Sequence, residues 1–390
     1  MIELFLNTQH HSLKAELNRF FQQKFPLSFG YRNLSSAAVT KARPKFKASA
    51  FIELLHKAVD YAYHHLPRKK QKGWHGFRTL AVDGSDLTLP NKPSLLAFFG
   101  GHGNNNSPDK PMAKLSCLYD VYLDLPIDAQ LDRKHASERE LAIRHLKVTK
   151  DNDLLLYDRG YYAYWFVLEH TLRERAFCLR LRSNANKQIK AFTQSNKKQA
   201  IITLNPSEGL CKQTHDKGLE CIDITVRLIR IKTSKGQYVL MTSLTDKKRY
   251  PMKDFYALYH ARWRVEEGYK VQKAFLEVEN FSGQTVHSIQ QDVHASILIH
   301  ALSALACIAS KTSITQAVIE RKKDYKINVA MIIRSLKGSL IALLTGKMSG
   351  KNIYLWLKYL AKELSIIKPN RSFERCKVRC RREMHRTGYK

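Results

Sequence analysis

The chain has 390 residues and 44% hydrophobic content, enough for two or three domains with a sizeable core and too apolar for a disordered segment. Lys and Arg number 66 against 34 Asp and Glu, a formal net charge of +32. Such an excess is unfavourable in a compact chain unless a polyanion neutralises it, so nucleic acid is the first partner to expect, ahead of a membrane surface.

Residues 1–75 predict a basic, helical N-terminal region expected to bind DNA. "SLKAELNRFFQQ" and "KASAFIELLHKAVDYAYHHL" carry apolar residues at helical spacing, and Ser and Thr caps with a Pro break separate them. From residue 76 the period changes. "FRTLAVDGSDLTLP" (77–90) predicts a strand, "GGHGNNNSPDKP" (100–111) a loop, and "AKLSCLYDVYLD" and "PIDAQLD" two more strands. Ser137 and Glu140 set out a capping box for a helix over 137–149. "DLLLYDRGYY" (153–162) has the continuous apolar character of a buried central strand, and a helix follows over 162–175. A mixed α/β core is therefore expected over 76–175. Residues 176–235 read as a β-rich stretch. One long helix is expected over "PMKDFYALYHARWRVEEGYKVQKAFLEV", within a second core segment at 236–310. "ASILIHALSALACIAS" (295–310) is short for a membrane span and carries His300 at its middle, so it predicts a buried helix. Residues 311–390 read as helical, ending in a basic tail.

The start, "MIELFLNTQHH", lacks a basic region followed by an apolar run, so no signal peptide is expected. The seven cysteines form no CxxC pair, and Cys376, Cys380 and His385 lack a fourth ligand for structural zinc. A reduced, cytosolic protein is the simplest expectation.

Two carboxylates share one setting. Asp83 ends "TLAVD" and Asp158 ends "LLLYD", each closing an apolar strand. A carboxylate there costs desolvation unless it meets a cation, although an Asp that caps a turn is an ordinary alternative. Asp86 is a rival for Asp83, and Asp153 reads as a turn residue. On a helix at about 100° per residue, Tyr259, Arg262, Glu266 and Lys273 fall within about 60° of arc, while Glu267 lies roughly 80° off that face. Glu266 could equally form an intrahelical ion pair with Arg262 or Lys270.

"DG" after one strand, "DRG" after a second, and Y-x2-R-x3-E-x6-K on a later helix resemble the DDE transposases of bacterial insertion sequences. The sequence is similar in particular to the insertion-sequence-four type with its YREK signature. "SSAAVTKARPKF", "YDVYLDLPIDAQL" and "ENFSGQTVHSIQQDVHA" share the resemblance. It implies an RNase H-like core (76–175 and 236–310) interrupted by the β-rich stretch at 176–235. It further implies that Asp83, Asp158 and Glu266 hold two Mg²⁺ or Mn²⁺ ions, which activate water and stabilise the leaving 3′-oxygen in phosphoryl transfer. Tyr259, Arg262 and Lys273 would contact DNA near the cut, with Arg159 and Trp263 as further DNA contacts. The implied partners are terminal inverted repeats and target DNA, with a homodimer pairing two ends, possible hairpin intermediates, and action in the bacterial cytoplasm at the nucleoid. The alternatives are an RNase H-like nuclease, or an inactive transposase that only binds DNA.

Overall fold

The computed structural model describes residues 1–8, 11–25, 34–67, 73–104, 107–234, 236–318 and 325–367. The basic tail with Cys376, Cys380 and His385 lies outside them. Four helices open the chain: α1 (Ile2–Leu6), α2 (Leu13–Lys24), α3 (Ser36–Ala42) and α4 (Ser49–His65). The expected caps form: the Ser12 side chain accepts from the Ala15 N–H, and Ser35 from that of Ala38. In α4, Phe51, Leu55 and Val59 repeat every four residues and are all buried. This stripe docks the helix on the core, each side chain contributing about 1.5–3 kcal/mol.

The centre is one mixed sheet. Strand β1 (Arg78–Thr88) is followed by helix α5 (Pro93–Phe99) and strands β2 (Gly101–Asn104), β3 (Ser107–Asp120) and β4 (Leu125–Arg133). Then come α6 (Glu138–His145), β5 (Asp153–Tyr157), α7 (Tyr164–Leu172) and β6 (Ala176–Arg180). The core order is β4-β3-β1-β5-β6. Strands β1, β3 and β4 are antiparallel neighbours, whereas β5 and β6 run parallel to β1. This is the RNase H-like arrangement expected. Every residue of β5 is buried, as a strand covered on both faces must be.

The β-rich stretch extends the same sheet. Its first strand, β6, already completes the core order; α8 (Lys187–Gln194), β7 (Gln199–Leu204), α9 (Glu208–His215) and β8 (Ile224–Thr233) follow, and β9 (Gly236–Thr242), just past 235, pairs between β6 and β8 in the order β6-β9-β8-β7. Two expectations fail here and nearby. Cys211 and Cys221 form a disulfide, their Cα atoms 5.3 Å apart, because the turn after α9 folds the chain back on itself. The fully reduced reading therefore does not hold. Asp153 closes the turn before β5 as expected, its N–H donating to the Lys150 carbonyl at 3.0 Å and its carboxylate accepting from the Lys150 N–H at 2.8 Å; it is also completely buried, with the Arg78 guanidinium forked onto it, Nε to Oδ1 at 2.6 Å. The capping box is absent as well, since Ser137 makes no side-chain cap and Lys217 takes the Glu140 carboxylate at 3.1 Å.

The expected single long helix is broken into α10 (Phe255–Ala261), α11 (Arg264–Lys270) and a wide π turn, Val271–Phe275. Helix α12 (Val286–Val318) is 33 residues long, more than the sequence suggested. By length and composition it could cross a membrane, but 67% of its most apolar window is buried, against α4, β4 and the helix that follows. His300 on this helix hydrogen-bonds Gln272 at 2.9 Å, and burial pushes its pKa down to about 3. Strand β10 (Tyr325–Ile327), α13 (Val329–Leu344), α14 (Gly350–Leu360) and β11 (Leu364–Ile366) complete the described chain.

Candidate active site

Asp83 lies inside β1 rather than at its end, because β3 keeps pairing along it: Asp83 faces Cys117, and the ladder continues to Thr88. The parallel partner stops earlier. Ala81 pairs with Leu156, and β5 ends at Tyr157. Continuing that register by two residues sets Asp83 beside Asp158, so both carboxylates emerge where the parallel pairing ends, the usual place for ligands in such sheets.

Local structure fixes each acid. Asp158 Oδ1 accepts from the Gly160 N–H at 2.7 Å, and Arg139 holds the Gly160 carbonyl with Nε at 3.1 Å and Nη2 at 2.8 Å. Asp83 accepts from the Gly84 N–H at 2.9 Å. The Tyr269 hydroxyl lies 2.7 Å from the Asp83 carbonyl oxygen and 3.1 Å from that of Leu115, pinning the helical segment to the β1–β3 ladder. Glycine makes two of these approaches possible. A Cβ on Gly268 would stand 2.9 Å from the Tyr119 ring, and one on Gly84 would stand 2.9 Å from the Glu138 carboxylate. Tyr269 reads in the sequence only as part of an apolar stripe with Leu258, Val265 and Leu276, and Arg139 and Glu138 have no signal beyond their residue type.

The helix geometry differs from a uniform wheel. Through residues 259–266 the backbone bonds skip three residues, as in Arg262 N to Tyr259 O and Glu266 N to Trp263 O. The π turn, centred on Lys273, then widens the spiral. Tightening and widening oppose each other in rotation, so the residues still meet the sheet. Arg262, only 6% exposed, reaches Glu266 at 2.7 Å and Asp83 at 3.7 Å. The intrahelical pair that the sequence left open is therefore formed, and the same guanidinium also faces Asp83. Lys273 donates to the Asp86 carbonyl at 2.6 Å and lies 3.8 Å from Glu279. Tyr259 is buried, its ring 5.7 Å from that of Tyr238. Trp263 is 52% exposed and Arg159 is exposed. Glu267 points out to solvent and pairs with Lys270.

The rival Asp86 is spoken for by Lys114 and Lys134, each 2.7 Å away. Burial acts to raise its pKa, but hydrogen bonds from these two lysines hold it below the ordinary value. Asp83 differs. Burial pushes its carboxyl up to about 6, against the pull of Arg262 and the Gly84 N–H, and the Glu266 and Asp158 carboxylates add to the rise. An acid raised above its unfolded value binds more protons when folded, so stability falls as pH rises from about 4 to about 6 and stays reduced above. We predict that Asp83→Asn removes a penalty of about 2–3 kcal/mol. Denaturant unfolding at pH 8 should shift upward in the variant while the two proteins coincide near pH 4. An equal shift at both pH values would refute the linkage.

Among the described residues, no three His, Cys, Asp or Glu side chains converge on one point as they stand; Arg262 lies between Asp83 and Glu266. The donor chemistry nonetheless suits a hard divalent cation. Three carboxylates couple electrostatically at one sheet end. The buried Tyr161 hydroxyl, which senses Asp83, Glu138 and Asp158, has no hydrogen-bond partner among the described residues and is available to a bound water.

Comparison with known proteins bears on this geometry. A model of the transposase DDE domain matches residues 74–302, more than half of the chain. The chain is 29% identical over 241 residues to the transposase InsG for insertion sequence element IS4 of Escherichia coli, covering 61% of this chain and 52% of that protein. It is 24% identical over 221 residues to the putative transposase y4zB of Sinorhizobium fredii, covering 56% of this chain and 60% of the relative. The chain thus spans about half the length of the curated relatives it matches. A piggyBac transposase synaptic complex with hairpin DNA superposes at a TM-score of 0.40 with 12% identity, over 76% of this chain and 59% of the other; at that level it says nothing about function. The extent of the domain match is decisive, and the chain belongs to the transposase DDE domain family.

Proposed function

We propose that this chain is a DNA transposase that cuts the ends of its insertion sequence and joins the freed 3′-OH ends to target DNA. The observation that carries the reading is the meeting of Asp83 and Asp158 on adjacent parallel strands with Glu266 coupled to them across Arg262. Asp83, Asp158 and Glu266 would hold Mg²⁺ or Mn²⁺. When bound, such ions polarise a phosphate and lower the pKa of water, the chemistry that phosphodiester cleavage needs.

The remaining roles belong to side chains. Arg262 keeps Glu266 and Asp83 from repelling each other in the free protein. It must release Glu266 before that carboxylate can face a cation, and its fork is then free for a phosphate. Lys273 supplies a point charge over the β1 end. Trp263, exposed beside Arg262, is the side chain best presented to stack on a base, and Arg159 stands next to Asp158 as a phosphate contact. The buried Tyr259 ring supports Arg262 from 6.0 Å and leaves stacking to Trp263. Terminal inverted repeats and target DNA are the substrates. Two copies would pair two ends in the bacterial cytoplasm, at the nucleoid.

Duplexes that end in the element's inverted repeat test this. With Mg²⁺ or Mn²⁺ the wild-type protein should nick at the repeat boundary, and EDTA should abolish nicking while leaving DNA binding in place. Binding without cleavage under either metal would instead favour a DNA-binding protein that has lost catalysis.

A further inference from the structure

The C-terminal part of the described chain does not contribute to the carboxylate site, yet its charge is lopsided. Residues 325–367 carry seven lysines and arginines and one carboxylate, Glu363. Three of the seven, Lys351, Lys358 and Lys362, lie on α14 or in the turn just past it. The inner face of this helix is fixed: Trp356 donates from Nε1 to the Ser335 hydroxyl at 2.8 Å, and Leu360 is completely buried in a cluster with Ile327 and Ile332. Its start is capped by Ser349, which accepts from the Asn352 N–H. The outer face holds Lys351, Tyr354, Leu355, Lys358 and Tyr359, with Lys362 in the turn beyond, and all six are exposed. The spacing of three and four residues puts them in one stripe. Tyr354, Leu355 and Tyr359 are each more than half exposed, and the Lys358 ammonium rides over the Tyr354 ring at 5.7 Å.

We propose that this stripe is a duplex-DNA contact surface, separate from the carboxylate site, on which Lys351, Lys358 and Lys362 take backbone phosphates and Tyr354 and Tyr359 pack against the sugar-phosphate edge. Lys351 and Lys358 stand two helical turns apart, about 10 Å along the axis. That is about the rise of three base pairs at roughly 3.4 Å each, so neighbouring lysines can meet different phosphates of one strand. Lysine and tyrosine are both ordinary phosphate contacts. A stripe of exposed Tyr and Leu could also mark a protein interface, but a second copy is disfavoured by charge. A two-fold contact brings the same patch against itself, setting these lysines against their own images with no carboxylate in the stripe to neutralise them.

The inference rests on the proposed function only in taking DNA as the partner, and its test needs neither a metal nor the element's ends. Binding of the full chain to a random-sequence duplex is followed by fluorescence anisotropy from roughly 50 to 200 mM salt, where each phosphate contact contributes about 0.9 to the slope of log K against log salt. The triple variant Lys351→Gln, Lys358→Gln, Lys362→Gln should lose about 2–3 from that slope. A control that removes three exposed charges elsewhere, Lys190→Gln, Lys197→Gln, Lys198→Gln, should lose less than about one. Equal losses in the two triples would mean the stripe is no more than bulk charge, and an unchanged slope in the α14 variant would mean it touches no phosphate; either overturns the proposal. So does light scattering in which the wild type is dimeric and the α14 variant monomeric. Failure of repeat-end cleavage would count against the transposase reading and leave the slope comparison intact.

Discussion

Glu266→Gln abolishes strand nicking while Glu267→Gln keeps it: that is the expected result when the two variants are compared on repeat-end duplexes with Mg²⁺. The adjacent glutamates differ in setting, not in chemistry. Glu266 is partly buried, 2.7 Å from a guanidinium that also faces Asp83. Glu267 is exposed and pairs with Lys270, a surface contact worth a few tenths of a kcal/mol. Glutamine preserves the shape of the side chain and its helical propensity but removes the charge that a divalent cation requires. Each 1.36 kcal/mol lost from transition-state stabilisation is a tenfold loss in rate, and a metal ion supplies several kcal/mol. Glu266→Gln should therefore cost on the order of a thousandfold or more, with DNA binding kept, and Glu267→Gln less than about threefold. Equal losses in both variants would remove Glu266 from the site. Glu266→Gln has a second readout, because it strips Arg262 of its 2.7 Å partner: a buried guanidinium left to Asp83 alone should pull the Asp83 carboxyl down from its raised value, visible by NMR titration.

Much of this site was legible in the sequence, for physical reasons. An apolar run that ends in a carboxylate is costly to bury without a cation, so Asp83 and Asp158 stood out before any geometry was known. That they lie side by side depends on the β1–β5 register, which no local pattern encodes. A uniform helix puts Tyr259, Arg262, Glu266 and Lys273 on one face; a tight turn before Glu266 and a π turn around Lys273 offset each other, so Arg262 and Lys273 both reach β1, whereas Tyr259 packs on Tyr238. Supporting residues stayed hidden. Tyr269 looked like one more apolar position on a buried stripe, and nothing local joins Arg139 to the Gly160 carbonyl. The disulfide was missed for the same reason: a ten-residue spacing has no meaning until α9 turns back. The turn role of Asp153 is local and readable, whereas its buried partner Arg78, 75 positions away, is not.

The three stretches that shared the family resemblance without an assigned role are explained by contacts distant in sequence. "YDVYLDLPIDAQL" spans the end of β3, the turn and most of β4; at the turn Asp120 accepts from the backbone N–H groups of Tyr122 and Leu123 and from the Tyr63 hydroxyl. In the same hairpin, Asp128 is buried between His56 at 2.9 Å and His145 at 2.6 Å. Burial opposes it, but the hydrogen bonds from the two histidines hold its carboxyl far below the ordinary range. Ser116 completes a serine–histidine–aspartate line with His145 at 3.1 Å, but all three side chains are sealed in the core. The line is structural and has no access for a substrate.

The other two stretches meet at Arg43, and the expected consequence of Arg43→Ala is release of the N-terminal helices from the core. Arg43 donates from Nε to Gln291 at 2.7 Å, from Nη1 to Ser282 at 2.9 Å, and from Nη2 to the Ser288 carbonyl at 3.2 Å and Asp292 at 2.7 Å. Its guanidinium also covers the Phe5 ring at 4.8 Å, so α1 is held by the same residue. His287 and Gln291 complete the clasp by hydrogen bonding to the Phe46 carbonyl. Breaking a mostly buried ion pair by removing one partner costs about 3–5 kcal/mol. If the loss falls on docking, amide protection in α1 and α3 should drop by about a hundredfold to a few thousandfold, while the β1 and β5 amides are unchanged. Arg43→Lys should recover part of it, since an ammonium keeps the charge but cannot fork across four acceptors. Asp292 keeps two bonds from Ser282, through its N–H and its hydroxyl, so Asp292→Ala should loosen that loop as well. The double variant should then cost less than the sum of the two single ones. Unchanged protection in α1 and α3 would show that the apolar contacts of α4 alone hold the head. The loop that Arg43 grips leads back through Glu279, which accepts from the Thr88 N–H at 2.9 Å and lies 3.8 Å from Lys273. A head that loses its clasp should therefore also weaken repeat-end cleavage, and adding more DNA should not restore the rate.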